Sequence, residues 1–234
     1  MNRPLLVTAR LASPLAGDPP QLDGLLEVAM CFHISSIYKS RDKVWDRHKV
    51  NRACPAPPQG DVPIPLAREW LGGLLVSRCS DPILAPVDRE TVERYVKKIG
   101  VENAGLLAPE SRRSISTTNT HTKSFRLPLR VRAVTCVRWF CLGDRRRVKQ
   151  RLNDLSAIGK KVSQGYGRVA AWEVEDADAD YSWFAPHGEA LVLMRTLPMG
   201  AWLPGNLVGY RQSFAAVGPP YWHHDRHSEA VVPC

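Results

Sequence analysis

The chain has 234 residues, 44% of them hydrophobic and 24% charged, which is enough apolar material to bury the core of one large globular domain. Its net charge is +9, and the excess is concentrated between Ser111 and Arg168, where fifteen Arg or Lys residues stand against only Asp144 and Asp154. A basic block in an otherwise mildly acidic chain favours an anionic partner such as nucleic acid, although a solvated basic surface is the simpler alternative.

Signs of secretion and of membrane insertion are absent from the sequence. No window contains the ~18 apolar residues that a membrane-spanning helix requires, and Met1–Arg10 lacks the apolar core of a signal peptide. The six cysteines include no C-x-x-C pair, so they are predicted to be free thiols in a reducing compartment. We therefore expect a cytoplasmic protein with no membrane partner, no metal and no cofactor.

The first third of the chain predicts a strand followed by a helix. Leu5–Leu11 is apolar and rich in β-forming residues, and a turn rich in Pro and Gly follows it. Within Gln21–Ile34 the apolar residues recur at helical spacing, which predicts a buried helix face made of Leu22, Leu25, Leu26, Ala29 and Met30. Residues 35–60 are polar, basic and then rich in proline, so they are predicted to leave the core as an excursion.

The segments that follow are less regular. Val62–Val76 is predicted to contain a strand, whereas Asp88–Ile99 is compatible with either a short helix or a strand. Glu102–Thr122 has no apolar period, and its second half consists almost wholly of Ser, Thr, Arg, Asn and His. This composition predicts an exposed loop or a hairpin arm.

A period of two marks the basic middle of the chain. Lys123–Leu142 is predicted to be one long strand, apolar on one face and rich in arginine on the other. The arginine-rich face would carry Arg126, Pro128, Arg130 and Arg132. Because the strand continues into the apolar segment Val134–Cys141, its second half is predicted to be the more buried one.

The remainder of the chain predicts a helix, a loop and further strands. Gly143 ends the long strand, and Asp144 is the predicted N-cap of a helix that runs to Asp154 or Ser156. A Gly-rich loop at residues 159–167 leads to strands predicted at Arg168–Glu175 and Ala190–Leu197. The tail, residues 198–234, is rich in Pro, Gly and aromatic residues and is predicted to wrap the body.

The order of these elements predicts a single α+β domain over residues 1–234. Strand, helix, strand region, long strand, helix and strand follow one another in the manner of the βαββαβ plan of ferredoxin-like, RRM-type domains. Sheets of this kind often bind RNA.

The segment that is most informative about chemistry is the Gly-rich loop. Its three glycines allow positive φ angles and a close backbone approach, and free N–H groups in such a loop can surround a phosphate. Lys160, Lys161 and Arg168 add positive charge, and Tyr166 offers a stacking surface. The spacing is neither that of a Walker A loop nor G-x-G-x-x-G. A tight helix-to-strand turn with incidental charge is the alternative interpretation.

The same segment carries a family resemblance. IGKKVSQGYGRVAAWEVE, residues 158–175, resembles the C-terminal Gly-rich loop of the RAMP proteins, the repeat-associated family of CRISPR systems. LLVTARLASPLAGDPPQLDGLLEVAM, residues 5–30, is similar to the first strand and helix of that family. RTLP and VGPPYWHHD in the tail are similar to the handle-binding subunit of type IV, Cascade-like effector complexes.

The resemblance implies a ferredoxin-like domain with a β-hairpin thumb that grips the five-prime handle of the CRISPR guide RNA. It also implies a non-catalytic subunit that caps the backbone filament and contacts the backbone and large subunits, and it leaves contact with target DNA near its recognition motif open. Residues 35–60 and 102–126 are the two candidate thumbs. The expected RNA-binding residues are Arg112, Arg113, Lys123, Arg126, Arg145, Lys160, Lys161, Gln164, Tyr166 and Arg168.

The main alternative function is a metal-independent endoribonuclease that processes CRISPR precursor RNA. RNA cleavage without a metal needs a base near the 2′-hydroxyl and a cation for the developing charge. His121 with Lys123 could supply both, with Tyr166 nearby if the fold allows, and His48 with Lys49 is a second pair.

Two features of the tail suggest other kinds of site. His223, His224 and His227 with Asp225 form a dense cluster of metal-ligand types, although a polar surface turn is the simpler interpretation of this proline-rich segment. The aromatic stretch from Trp202 to Trp222 could dock another protein or cover the domain's own core.

Overall fold

A computed structural model describes residues 2–41, 62–97 and 125–234 of the chain. These residues form an α+β structure that is rich in strands. The strands are β1 (Arg3–Leu11), β2 (Leu15–Ala16), β3 (Arg68–Leu71), β4 (Leu74–Ser77), β5 (Ile83–Leu84), β6 (Arg89–Lys97), β7 (Phe125–Ala133), β8 (Cys136–Gly143), β9 (Val169–Asp176), β10 (Phe184–His187), β11 (Ala190–Leu193), β12 (Leu197–Pro198), β13 (Leu207–Val208), β14 (Tyr210–Ala216) and β15 (His227–Pro233). The two α-helices of the described ranges are α1 (Leu22–Arg41) and α2 (Arg145–Leu152).

A four-stranded sheet lies at the centre, in the order β5-β8-β1-β9, and every pair in it is antiparallel. Helix α1 follows β1, and α2 connects β8 to β9. Successive residues of a strand point to opposite faces, and Leu5, Val7 and Ala9 of β1 are all fully buried on one of them. These residues belong to the same apolar core as Leu22 and Leu26 of α1 and Val148 and Leu152 of α2.

The regular periodicities of the sequence are borne out at this sheet. The predicted first strand is β1, and the predicted first helix is α1, which extends beyond Ile34 to Arg41. Asp144 caps α2 as predicted, because its side chain accepts the backbone N–H of Arg147 at 2.9 Å. The predicted strand after the Gly loop is β9.

The predicted long strand over Lys123–Leu142 is wrong as a single element. It consists of β7 and β8, which belong to different sheets. The chain changes sheets at Val134 and Thr135, where the carbonyl of Thr135 accepts the backbone N–H of Leu11 at 2.9 Å. The strict alternation of β7 ends at this break, where Ala133 and Val134 are adjacent apolar residues.

Strand β7 instead forms a hairpin with β6, which resolves the uncertain Asp88–Ile99 segment as a strand. Their register runs from Arg89 opposite Ala133 to Lys97 opposite Phe125. The short strand β2 pairs with the other edge of β7 and ties this hairpin to the turn that follows β1. We call β6 and β7 the arm hairpin; their ends lead into residues 98–124, which lie outside the described residues.

The C-terminal part adds two three-stranded sheets, β10-β11-β13 and β12-β15-β14. They share a second apolar core that includes Val76, Trp183, Leu197 and Val231. The tail is therefore built largely of paired strands. Within the described ranges, no helix combines the length and the apolar character needed to cross a membrane.

Candidate nucleic-acid interface

The Gly loop, residues 159–167, lies against the turn that joins β1 to β2. The backbone N–H of Lys160 donates to the carbonyl of Ala16 at 2.9 Å, and that of Gly167 donates to Pro14 at 2.8 Å. The hydroxyl of Ser13 donates to the carbonyl of Gly165 at 2.7 Å. These bonds fix the loop at one end of the central sheet, where β9 begins.

The backbone of the loop is largely occupied within the protein. Besides Lys160 and Gly167, the N–H groups of Gln164 and Gly165 donate to carbonyls of the loop itself, at 2.8 and 3.0 Å. These four N–H groups are not available to a phosphate. The loop therefore presents side chains to an anion, and Lys160, Gln164 and Arg168 are exposed.

Two side-chain contacts join the Gly loop to the arm hairpin. The ammonium of Lys161 lies 3.4 Å from the centre of the Tyr95 ring, which is a cation–π contact. The hydroxyl of Tyr166 donates to the carboxylate of Glu93, and this bond raises the pKa of Tyr166. The Tyr166 ring also packs, together with Tyr95, against Ala16, Leu129 and Val131. Loop and hairpin thus form one unit.

The other face of the arm hairpin carries all of its arginines except Arg89, as the alternation of β7 predicted for that strand. Glu90 holds two of them: Arg130 at 3.2 Å and Arg132 at 3.0 Å. Arg94 and Arg126 have no ion-pair partner among the described residues. Val92 and Val96, with 64% and 56% of their surfaces exposed, lie on the same face. This face is cationic and apolar at once.

The expected RNA-binding residues are divided by the structure. Lys160, Lys161, Gln164, Tyr166 and Arg168 lie in or beside the Gly loop, and Arg126 lies in the arm hairpin next to it. Arg112, Arg113 and Lys123 fall outside the described residues, as do most of the candidate thumb at 102–126 and residues 42–60 of the other candidate.

Arg145 is not part of this group. It begins α2, whose other end leads toward the Gly loop. Its Nε donates to the carbonyl of Val174 at 3.0 Å, and its Nη1 lies 3.3 Å from Asp176 Oδ2. Arg3 reaches the same oxygen at 3.3 Å. The basic block is therefore split into two patches, one at each end of α2.

The histidine cluster of the tail is only partly assembled. His224 Nε2 lies 2.9 Å and His223 Nδ1 lies 3.5 Å from oxygens of Asp225. These three residues have ligand atoms close enough to share one metal ion. The ring of His227 is stacked instead on Phe214, at 5.9 Å between centroids.

Sequence reasoning missed Glu93, Tyr95 and Ser13, which position the loop. A period of two through β6 places Glu93 and Tyr95 on one face of that strand, but nothing in the sequence links that face to a loop some 70 residues away. The acidic partner Asp176 was likewise missed as the residue that orients Arg145.

Comparison with known families supplies the context for this geometry. The family model described as CRISPR type IV associated protein Csf3 matches residues 78–233. The match covers the arm hairpin, α2, the Gly loop and most of the C-terminal sheets. No curated protein matches the chain. The chain belongs to the Csf3 family of CRISPR type IV associated proteins.

Proposed function

We propose that this chain is the subunit of a type IV CRISPR effector complex that grips the repeat-derived five-prime handle of the guide RNA. Its family membership makes it a type IV CRISPR-associated subunit. The observation that carries the proposal is the union of the Gly loop with the arginine-bearing arm hairpin through Lys161 and Tyr95. This unit carries Lys160 and Arg168 in and beside the loop, and Arg126 on the other face of the hairpin.

The topology supports a ferredoxin-like RAMP domain. If the short strand β2 and the hairpins β3-β4 and β6-β7 are set aside, the chain runs β1, α1, β5, β8, α2, β9 up to Asp176. That is the βαββαβ order of ferredoxin-like domains. The arm hairpin is then an insertion between the second and third strands of this plan, and we assign it to the thumb.

The proposed mechanism is electrostatic and geometric. Lys160 and Arg168 of the Gly loop and Arg94 and Arg126 of the arm neutralise phosphates, each with the release of counterions. Gln164 adds an amide that can donate to or accept from a base edge. Tyr166 acts as a positioning residue, because its hydroxyl and ring are already engaged by Glu93 and the apolar cluster around Leu129.

The proposal includes protein partners and no catalytic role. Exposed aromatic residues of the C-terminal part, Trp202, Phe214 and Trp222 among them, offer surface for the backbone and large subunits. Contact with target DNA near its recognition motif is a further expectation. In the alternative ribonuclease, Tyr166 would assist His121 and Lys123, which lie outside the described residues; the hydroxyl of Tyr166 is bound to Glu93.

Fluorescence anisotropy with a labelled repeat handle tests the proposal. We expect Lys160→Gln and Arg168→Gln each to weaken binding and to flatten the dependence of log affinity on log salt by about 0.7. Arg211→Gln, which removes an exposed charge from β14, is the matched control and should change neither quantity. A chain that binds a scrambled handle as tightly as the true one does not have the proposed specificity.

The same preparation tests for catalysis. Purified chain is incubated with precursor repeat RNA in EDTA, and we expect the RNA to stay intact. Specific cleavage that His121→Ala abolishes would assign the endoribonuclease function instead.

A further inference from the structure

A second cationic groove lies along α2, from its N-cap Asp144 to its C-cap Asn153. It is an open cavity of about 640 Å³ lined by Arg3, Asp144, Arg145, Arg146, Lys149, Gln150 and Asn153. We call it the α2 groove. Asp144 is committed to capping the helix through the N–H of Arg147, so the side chains left to meet a ligand are four cations and two amides.

Two of these cations are held in place and two are unpaired. Asp176 lies 3.3 Å from both Arg3 and Arg145, and Arg145 also donates to the carbonyl of Val174. Arg146 and Lys149 are exposed and have no ion-pair partner among the residues that the structure describes. One carboxylate therefore orients two guanidinium groups without neutralising the groove.

The charge pattern of α2 is unfavourable for the helix itself. Its first turn contains Arg145, Arg146 and Arg147 and no acidic residue, so the positive end of the helix dipole repels three cations and only the N-cap Asp144 offsets that repulsion. Arg146 and Lys149 are three residues apart and Arg145 and Lys149 four apart, so like charges are also neighbours on the helix surface. A bound anion would reduce both the repulsion by the helix dipole and the repulsion between neighbouring cations. This is a physical reason for a helix with so many cations on one surface.

The shape and the donors indicate the class of ligand. Guanidinium and ammonium groups with flanking amides suit phosphate oxygens. An open groove suits a chain that passes through it better than a small enclosed molecule does. Seven steps along α2 amount to about 10 Å, a length that a strand running along the helix would cover.

We propose that the α2 groove is a second phosphate-binding site, which holds the phosphodiester backbone of a nucleic-acid strand separately from the Gly loop and arm hairpin. The inference rests on the proposed RNA-binding function and extends it. Arg146 and Lys149 bind phosphates directly, while Arg145 on the same helix and Arg3 on β1, both oriented by Asp176, contact them from the side.

The test uses the whole chain with labelled oligouridylate and oligodeoxythymidylate of about 16 nucleotides. We expect Arg146→Gln and Lys149→Gln each to weaken binding and to reduce the salt slope by about 0.7, while Arg211→Gln leaves both unchanged. Because each substitution removes a charge that the helix dipole or a neighbour repels, the melting temperature should not fall. Acetylation of Lys149, followed by mass spectrometry, should slow when the oligonucleotide is bound.

The outcomes separate this inference from the function on which it rests. If the two substitutions weaken the binding of oligouridylate and oligodeoxythymidylate equally, the groove recognises phosphate alone. If they weaken the binding of oligouridylate only, the groove recognises RNA. Either result supports the proposed phosphate-binding site. If Lys160→Gln weakens binding but Arg146→Gln and Lys149→Gln do not, the groove is overturned and the proposed function stands. If the unsubstituted chain binds no nucleic acid, both fail. Polyglutamate serves as a model of an acidic protein. If Arg146→Gln and Lys149→Gln lose polyglutamate binding but keep their nucleic-acid affinity, the groove binds an acidic protein and the proposal is overturned.

Discussion

The Nζ atom of Lys161 lies 3.4 Å from the centre of the Tyr95 ring, and this contact joins a loop after α2 to a strand that precedes it by more than sixty residues. Lys161 has a φ angle of 59°, which is uncommon for a residue with a side chain. The same residue thus has a left-handed backbone and an ammonium group in contact with the Tyr95 ring. The loop–hairpin contact is therefore a specific interaction whose strength can be measured.

A double-mutant cycle measures that contact. Lys161→Asn removes the charge while Asn tolerates the left-handed backbone, and Tyr95→Leu removes the ring. We expect a favourable coupling of about 0.5–1 kcal/mol in the free energy of unfolding, as for cation–π pairs that solvent can reach. Additive effects of the two substitutions in urea denaturation would show that the ammonium and the ring do not stabilise each other.

The hydrogen bond between Tyr166 and Glu93 should make the free energy of unfolding depend on pH in the alkaline range. The hydroxyl of Tyr166 donates to Glu93, and the pKa of Tyr166 is raised above its usual value of 10.0. The folded state thus favours the protonated hydroxyl, so this stabilisation is complete below pH 10.0 and is lost as the pH rises through the raised pKa. Tyr166→Phe should lose less stability over that range than the unsubstituted chain. Identical alkaline profiles of melting temperature would contradict the predicted linkage.

Gly167 and Gly165 should differ sharply in their tolerance of a side chain. A Cβ at Gly167, where φ is 62°, would lie 1.9 Å from the carbonyl oxygen of Ile158, whereas one at Gly165, where φ is 94°, would meet nothing within 4 Å. Gly167→Ala should therefore lower the free energy of unfolding by more than about 2 kcal/mol, because backbone must move. Gly165→Ala should cost only the backbone strain, about 1 kcal/mol.

Thermal or urea unfolding of the two glycine variants checks this prediction, with each acting as the control for the other. Comparable losses would mean that the loop does not pack against Ile158 as tightly as the structure shows. Handle binding by Gly165→Ala should remain close to that of the unsubstituted chain, because the exposed cations of the loop are unchanged.

The sequence predicted the parts of the fold that depend on local periodicity. Leu22 and Leu26 in α1, and Val148 and Leu152 in α2, are each four residues apart, and their burial followed from this helical spacing. Asp144 predicted the start of α2 because a cap is a local interaction. The break near Thr135 is marked in the sequence only by the adjacent apolar residues Ala133 and Val134, and the prediction of one long strand did not take them as a break.

The sequence predicted which types of residue the candidate site contains, but it did not predict how those residues are arranged. The cations of the Gly loop are exposed as expected, but the four N–H groups expected to be free are bound within the protein. Grouping Arg145 with Lys160 overlooked the length of α2, which separates them. The pairing of Glu93 with Tyr166 depends on tertiary contacts, and one sequence carries no signal for such contacts.

The C-terminal part is fastened to the central domain by a buried ion pair. Arg195 Nη2 lies 2.6 Å from Asp23 Oδ2 at the start of α1, and Tyr221 donates to the other oxygen of Asp23 at 2.6 Å. Both ionised side chains are almost completely buried. Arg195→Met should lower the free energy of unfolding by about 3–5 kcal/mol, because it leaves the carboxylate buried without its partner.

Arg10→Met is the matched control for this prediction, since Arg10 forms an exposed ion pair with Glu173 and its loss should change stability little. The double variant Asp23→Leu with Arg195→Met should lose much less stability than the two single losses combined, because no unpaired charge remains in the interior. Urea denaturation of the unsubstituted chain, the three single variants and the double variant checks both expectations. If Arg195→Met unfolds at the same urea concentration as Arg10→Met, the buried pair does not hold the C-terminal sheets to α1.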